Sequence, residues 1–183
     1  FPSQFGCTQD VPTYDYNPEK AKKLLAEAGY PNGFETPFLA YRNRDYAEAM
    51  INNLNAVGIT AKFEYLKYAA FRDKVQSGGA PFNFGTWGSY SINDVSAITS
   101  HFQSGGKDDY SKDPEVIKQL GIGDTSVDAN VRKAAYKAAL SRISGEAFMF
   151  PLWSYNTWYA FSKDVDFNPT PDEIPRFFTA KWM

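Results

Sequence analysis

Between residues 34 and 66 the apolar pattern of the chain changes period twice, and this passage restricts the fold more than any other. Residues 34–41 read as a strand. Residues 45–57 place Ala47, Met50, Ile51, Leu54 and Val57 on one face at helical spacing before Gly58 stops the run. Residues 59–66 then alternate, with Ile59, Ala61, Phe63 and Tyr65 on one side and Thr60, Lys62 and Glu64 on the other. Strand, helix and strand at this separation make a βαβ unit, whose strands run parallel and whose crossover is right-handed. The polar face of 59–66 points to an edge position. The class that follows is α/β, a mixed sheet flanked by helices.

The flanking elements agree with that class. Residues 1–16 form an irregular lead-in. Asn17 is a helix N-cap with Pro18 at the first helical position, and Ala21, Leu24, Leu25 and Ala28 share a face before Gly29. Tyr68, Phe71 and Val75 mark a helix over 68–77, and Phe82 to Trp87 a strand. Ser91 and Asp94 suggest a capping box for a short helix carrying Val95, Ile98 and Phe102. The longest helix is predicted near 128–144, with Val131, Ala135, Tyr136, Ala139, Leu140 and Ile143 in one stripe. Residues 147–162 concentrate the late aromatics and read as two strands, and 163–183 is an aperiodic tail. One domain over 1–183 is expected.

Composition removes several functions. Aromatics make up 17% of the 183 residues, against the composition of a disordered chain, and the net charge of −2 gives no basic field for nucleic acid. No apolar run approaches the roughly 20 residues needed to cross a bilayer, so no direct membrane insertion is expected. Cys7 is the single cysteine and has no internal partner for a disulfide. The opening at Phe1, with neither an initiator methionine nor a signal-like segment, reads as a processed or excised piece.

Catalytic chemistry finds little to stand on. His101 is the one histidine, which rules out a multi-histidine metal site and leaves any Ser-His-Asp triad dependent on that residue. It reads as a solvated or capping side chain whose loss changes ligand binding by no more than about 0.5 kcal/mol. No Gly-x-Ser-x-Gly, Walker A or Gly-x-Gly-x-x-Gly pattern occurs. The acidic pairs Asp108-Asp109 and Asp172-Glu173 lie beside loop signals and read as solvated. The expectation is no enzyme, no catalytic residue, no cofactor and no metal.

The candidate site is a loop. Trp87, Ser89, Tyr90, Asn93 and Asp94 follow a predicted strand end and precede a helix start, where open α/β sheets bind ligands. The same loop has a plainer reading, with Trp87 in the core and the polar residues capping the helix. Arg42, with Arg44, follows another strand end and can answer an anionic ligand group or simply be solvated.

Taken together these segments resemble one family. Residues 14–34, YDYNPEKAKKLLAEAGYPNGF, are similar to the opening of the second large lobe of family 5 extracellular solute-binding proteins, the dipeptide, oligopeptide and nickel receptors of bacterial ABC importers. Leu54 to Ile59, Trp87-Gly88, Asp109-Tyr110-Ser111 before Pro114-Glu115-Val116, Arg132 to Tyr136, and Phe150-Pro151-Leu152-Trp153 follow in the family's order. The resemblance implies a type II periplasmic-binding fold, closure of two lobes on a ligand and no reaction catalysed. This chain would be the C-terminal lobe, without the N-terminal one. It would work in the periplasm or at the cell surface, capturing a small peptide or peptide-like solute for a membrane permease.

One departure stands out. Peptide-binding members carry an acidic residue shortly after the tryptophan, at the position held here by Tyr90. Either Asp94 substitutes for it, or the ligand is not a simple free-amino peptide. The alternative function is a carbohydrate-active enzyme or module that stacks sugars on Trp87, Tyr90, Trp153 and Trp158, with any hydrolysis requiring two carboxyl groups about 5–10 Å apart.

Overall fold

The computed structural model describes residues 4–88, 92–170 and 174–183. It divides into two compact units, one made of Thr13–Thr86 with Gly105–Ser111, the other of Phe1–Pro12, Trp87–Ser104 and Lys112–Met183.

The first unit holds the βαβ passage. Helix α1 (Pro18–Glu27) begins where the Asn17 side chain accepts the Lys20 backbone N–H at 2.8 Å. Strand β1 (Phe34–Ala40), helix α2 (Arg44–Ala56), strand β2 (Ile59–Tyr65), helix α3 (Tyr68–Gln76) and the short strand β3 (Asn83–Phe84) follow. The strands pair in the order β2-β1-β3, all parallel, with Phe34 opposite Ile59 and Ala40 opposite both Tyr65 and Phe84.

Strand β1 is central because it can be buried on both faces. Phe38 and Ala40 pack with Ala47 and Ile51 of α2, Ala61 and Phe84, whereas Leu39 packs with Phe71 and Val75 of α3 and Ala80. Strand β2 is at the edge, where its exposed Thr60 and Lys62 cost nothing in desolvation. Gly33 and Gly58 stand just before β1 and β2. Both have positive φ, and a Cβ on Gly33 would lie 1.8 Å from the Gly58 carbonyl oxygen, so only glycine lets the two strands enter this close.

Residues 105–111 return to this unit, and their carboxylates are not solvated. Asp108 pairs with Arg72 at 2.6 Å. Asp109 is fully buried, accepting the Gly105 N–H at 2.9 Å and the Ser111 hydroxyl at 2.7 Å. The apolar surroundings demand those donors, so charge at a loop signal is here an internal clasp. Asp172 and Glu173 lie outside the described residues.

The second unit is helical. Helices α4 (Ser96–Phe102), α5 (Pro114–Thr125) and α6 (Ala129–Gly145) surround Val95, Val116, Leu120, Tyr136, Ala139 and Ile143. Helix α5 was not among the elements expected from periodicity, although Asp113 caps it and Pro114 opens it. Tyr136 is fully buried between two glycines: a Cβ at Gly6 would come within 2.4 Å of its ring and one at Gly123 within 2.5 Å.

Residues 147–162 form no strand ladder among the described residues, contrary to the expectation from their aromatics. Strand propensity reports a pleated surface with partners, and none is present there. The short antiparallel pair of β4 (Val165–Asp166) with β5 (Lys181–Trp182) is the sheet of this unit, so parallel and antiparallel pairing occur in separate sheets.

Candidate functional site

The loop between β3 and α4 is fastened at both ends to α4 and its surroundings. At its start, the Trp87 ring stacks on His101 with centroids 4.3 Å apart and planes 22° apart. Phe102 meets the same indole edge-on at 5.1 Å. Trp87 keeps 38% of its surface exposed, so it is a supported, partly exposed ring rather than a core residue. His101 is half-buried beneath it, which corrects the expectation of a solvated or capping histidine. No sequence period links positions 87 and 101. Their contact depends on how the chain turns between them.

At the other end, Asp94 is drawn inward. One carboxylate oxygen accepts the Ser96 backbone N–H at 3.0 Å, and the other accepts from the Arg132 guanidinium at 2.6 Å. Burial works against its charge, but the Ser96 and Arg132 donors outweigh burial and hold Asp94 below the usual carboxylate range. Arg132 is itself fixed by the Gly123 carbonyl at 2.8 Å, by the Tyr136 hydroxyl at 3.0 Å and by the Phe5 ring 4.7 Å from its guanidinium carbon. The Tyr136 hydroxyl donates onward to Asp124 at 2.8 Å. The spacing of Arg132 and Tyr136, one helical turn apart, was the available signal for this network.

Asn93 is exposed, and its backbone oxygen accepts the Phe5 N–H at 3.3 Å. Val95 N–H returns to the Phe5 oxygen at 2.9 Å, so residues 93–95 are clasped by the backbone of Phe5 as well. Ser89 and Tyr90 lie outside the described residues.

Arg42 belongs to the other unit. It stands beyond the carboxyl end of β1, where its guanidinium donates to the Thr86 hydroxyl at 3.1 Å. The Tyr41 hydroxyl lies 2.9 Å from the same Thr86 oxygen, and Arg42 remains exposed. A solvated cation at the carboxyl edge of a parallel sheet can receive an anion. Among the described residues, no group of three or more His, Cys, Asp or Glu side chains is placed to hold a metal ion. Nor is any helix among them long and apolar enough to cross a membrane.

The profile described as bacterial extracellular solute-binding proteins, family 5 Middle, matches residues 1–109. The chain belongs to this family. Its α/β fold agrees: the periplasmic binding protein DppA of Helicobacter pylori, solved in complex with the peptide STSA, superposes with a TM-score of 0.72 at 25% identity over 80% of this chain. Two curated relatives match shorter stretches. Heme-binding protein A of Haemophilus influenzae is 60% identical over 37 residues, 20% of this chain. Glutathione-binding protein GsiB of Escherichia coli is 37% identical over 65 residues, 33% of this chain. The matched regions are 7% and 13% of those two relatives and 30% of the DppA chain, so this family 5 chain spans well under half of each.

Proposed function

We propose that this chain is one lobe of a two-lobed family 5 receptor that delivers a peptide or peptide-like solute to the permease of a bacterial ABC importer. It binds and releases its solute and catalyses nothing. The parent works in the periplasm or at the cell surface. The observation that carries this is Trp87, an indole held against His101 and Phe102 with 38% of its surface left open, in the loop that joins β3 to α4. Such a ring offers a large apolar contact at little entropic cost, as binding hot spots do.

Trp87 is proposed as the central contact, and Ser89, Tyr90 and Asn93 as its neighbours in the loop. Asp94 closes the loop from inside through Arg132 and Ser96. Arg42, on its own unit, is the candidate for an anionic ligand group. The names of the relatives supply three chemistries to try: heme, glutathione and a peptide. Glutathione and the peptide share an amide backbone, which is the class favoured here.

The one-lobe reading draws support from the C-terminal segment. Trp158 is 89% exposed, Phe178 86% and Trp182 82%, a concentration of large apolar surface that a soluble protein ordinarily covers.

The test is mass spectrometry of the intact receptor under native conditions, followed by calorimetric titration of the molecule found with it. A peptide or peptide-like solute, bound more tightly by the intact receptor than by this chain alone, is the expected result. A bound sugar that the receptor hydrolyses would establish the carbohydrate-active alternative instead.

A further inference from the structure

We propose that Phe5 is a positioning residue for ligand binding, one that holds residues 92–95 in place through a closed ring of contacts with Asp94 and Arg132. This rests on the reading of the loop between β3 and α4 given above.

Three ties close on one another. The backbone of Phe5 forms a single parallel bridge opposite Asp94, its N–H donating to the Asn93 oxygen at 3.3 Å and its own oxygen accepting the Val95 N–H at 2.9 Å. The Asp94 carboxylate accepts from Arg132 at 2.6 Å. The Arg132 guanidinium carbon in turn lies 4.7 Å from the centre of the Phe5 ring, and the Lys133 ammonium 5.6 Å from it. Next to Phe5, the Gln4 side chain donates to the Ile92 oxygen at 2.7 Å, across 88 positions of sequence. Among the described residues, the hydrogen bonds and ion pairs of 92–94 that reach beyond the turn at 94–97 go to Gln4, Phe5 and Arg132.

The path of the chain past Phe5 is fixed as well. Gly6 has a φ of 77°, and a Cβ there would come within 2.4 Å of the Tyr136 ring. Glycine thus lets the backbone run close against α6, where the Phe5 side chain meets Arg132 and the apolar cluster of Val95 and Tyr136. The ring therefore has two jobs, and they ask for different side chains. Leucine fills much of the same apolar space, but only an aromatic face attracts a guanidinium, and tyrosine keeps that face. A clasp that favours binding is also favoured by the ligand, by the same factor.

The experiment uses the intact receptor, with the peptide STSA and reduced glutathione as probes titrated calorimetrically, and amide hydrogen exchange read at Phe5 and Val95. Ser126, whose N–H donates to the Ile122 oxygen at the end of α5, is the reference amide. Phe5→Leu is expected to weaken binding about three- to tenfold, the scale of one cation–π contact, and to speed exchange at Val95. Phe5→Tyr should leave both near the unsubstituted values. A saturating probe should slow exchange at Phe5 and Val95 and leave Ser126 unchanged.

Equal weakening by Phe5→Leu and Phe5→Tyr overturns the role of the ring. Unaltered affinity in Phe5→Leu overturns the proposal too, and faster exchange at Val95 in that variant then marks the clasp as part of the fold only. Should a variant fail to fold, the unsubstituted receptor decides: exchange at Phe5 and Val95 that a saturating probe leaves unchanged refutes the coupling. Binding that Trp87→Ala weakens and Phe5→Leu does not leaves the loop reading standing without the clasp. Binding of neither probe, or binding that Trp87→Ala leaves unchanged, ends the loop reading and the clasp with it.

Discussion

Replacing Asp94 by Asn separates two roles for this carboxylate, a partner for a ligand ammonium group and an internal anchor of the loop. Asparagine keeps an oxygen for the Ser96 N–H, now 3.0 Å away, and loses both the charge and the oxygen that accept Arg132 at 2.6 Å, since its amide NH2 cannot accept from a guanidinium. The side chains of Arg132 and Asp94 are 24% and 19% exposed, so solvent screens their attraction in part. Exposed pairs contribute up to about 1 kcal/mol, and breaking a fully buried one costs about 3–5 kcal/mol, so after discounting for screening Asp94→Asn should cost about 1–2 kcal/mol. Urea unfolding followed by near-ultraviolet circular dichroism measures it. The variant should unfold at lower urea with an unchanged slope, and amide exchange at residues 93–95 should speed up. Affinity for a peptide-like solute should drop only modestly, through a looser loop. Unaltered stability together with loss of preference for free-amino over N-blocked peptides would refute the anchor and establish Asp94 as the ammonium partner.

Asp113 makes a second pH-dependent tie. The Arg142 guanidinium, first of all, and the Val116 and Glu115 N–H groups lower its pKa from 3.8 to about 2. A lowered carboxylate stabilises the fold above its unfolded value and loses that contribution as pH falls through the folded one. The unfolding midpoint should therefore decline between pH 3.8 and about 2, and Asp113→Asn should flatten that decline. At the alkaline end, burial pushes the Tyr136 phenol from 10.0 up to about 12, so its contribution is complete below 10 and lost towards 12. Burial raises the Tyr110 phenol as well, so tyrosinate absorbance should show a late-titrating signal of which Tyr136→Phe removes the latest part. Gly33→Ala forces a side chain onto the Gly58 carbonyl at positive φ and should cost about 3 kcal/mol or more in a urea titration. Phe38→Ala empties the centre of the β1 core and should cost about 3–5 kcal/mol by the same assay.

The βαβ passage was legible because its information is local. Ala47, Ile51 and Leu54 recur at helical spacing, Ala61 and Phe63 at strand spacing, and both sets face the core. The loop at Trp87 was legible as a place, since it follows a strand end, but its fastening was not. Asp94 and Arg132 are 38 positions apart, and no propensity joins them. His101 was misjudged for the same reason: a lone polar residue before Gly105-Gly106 looks solvated until the fold sets it against an indole. Asp108 and Asp109 looked solvated until Arg72, Gly105 and Ser111 met them. The segment from Ala147 to Ser162 misled in the opposite direction, because aromatic strand formers make a ladder only where another strand receives their backbone groups. Helix α5 could have been found from Asp113-Pro114-Glu115, a cap and first turn that outweighed its weak stripe.

Calorimetric titration of the peptide STSA and of reduced glutathione into the intact receptor, with and without Trp87→Ala, addresses the solute-binding role most directly. At least one probe should bind the unsubstituted receptor, and Trp87→Ala should weaken it by about 2 kcal/mol, roughly thirtyfold, without lowering the unfolding midpoint by a comparable amount. Binding of neither probe, or equal affinities with and without the indole, would contradict a receptor that holds a peptide-like solute at this loop.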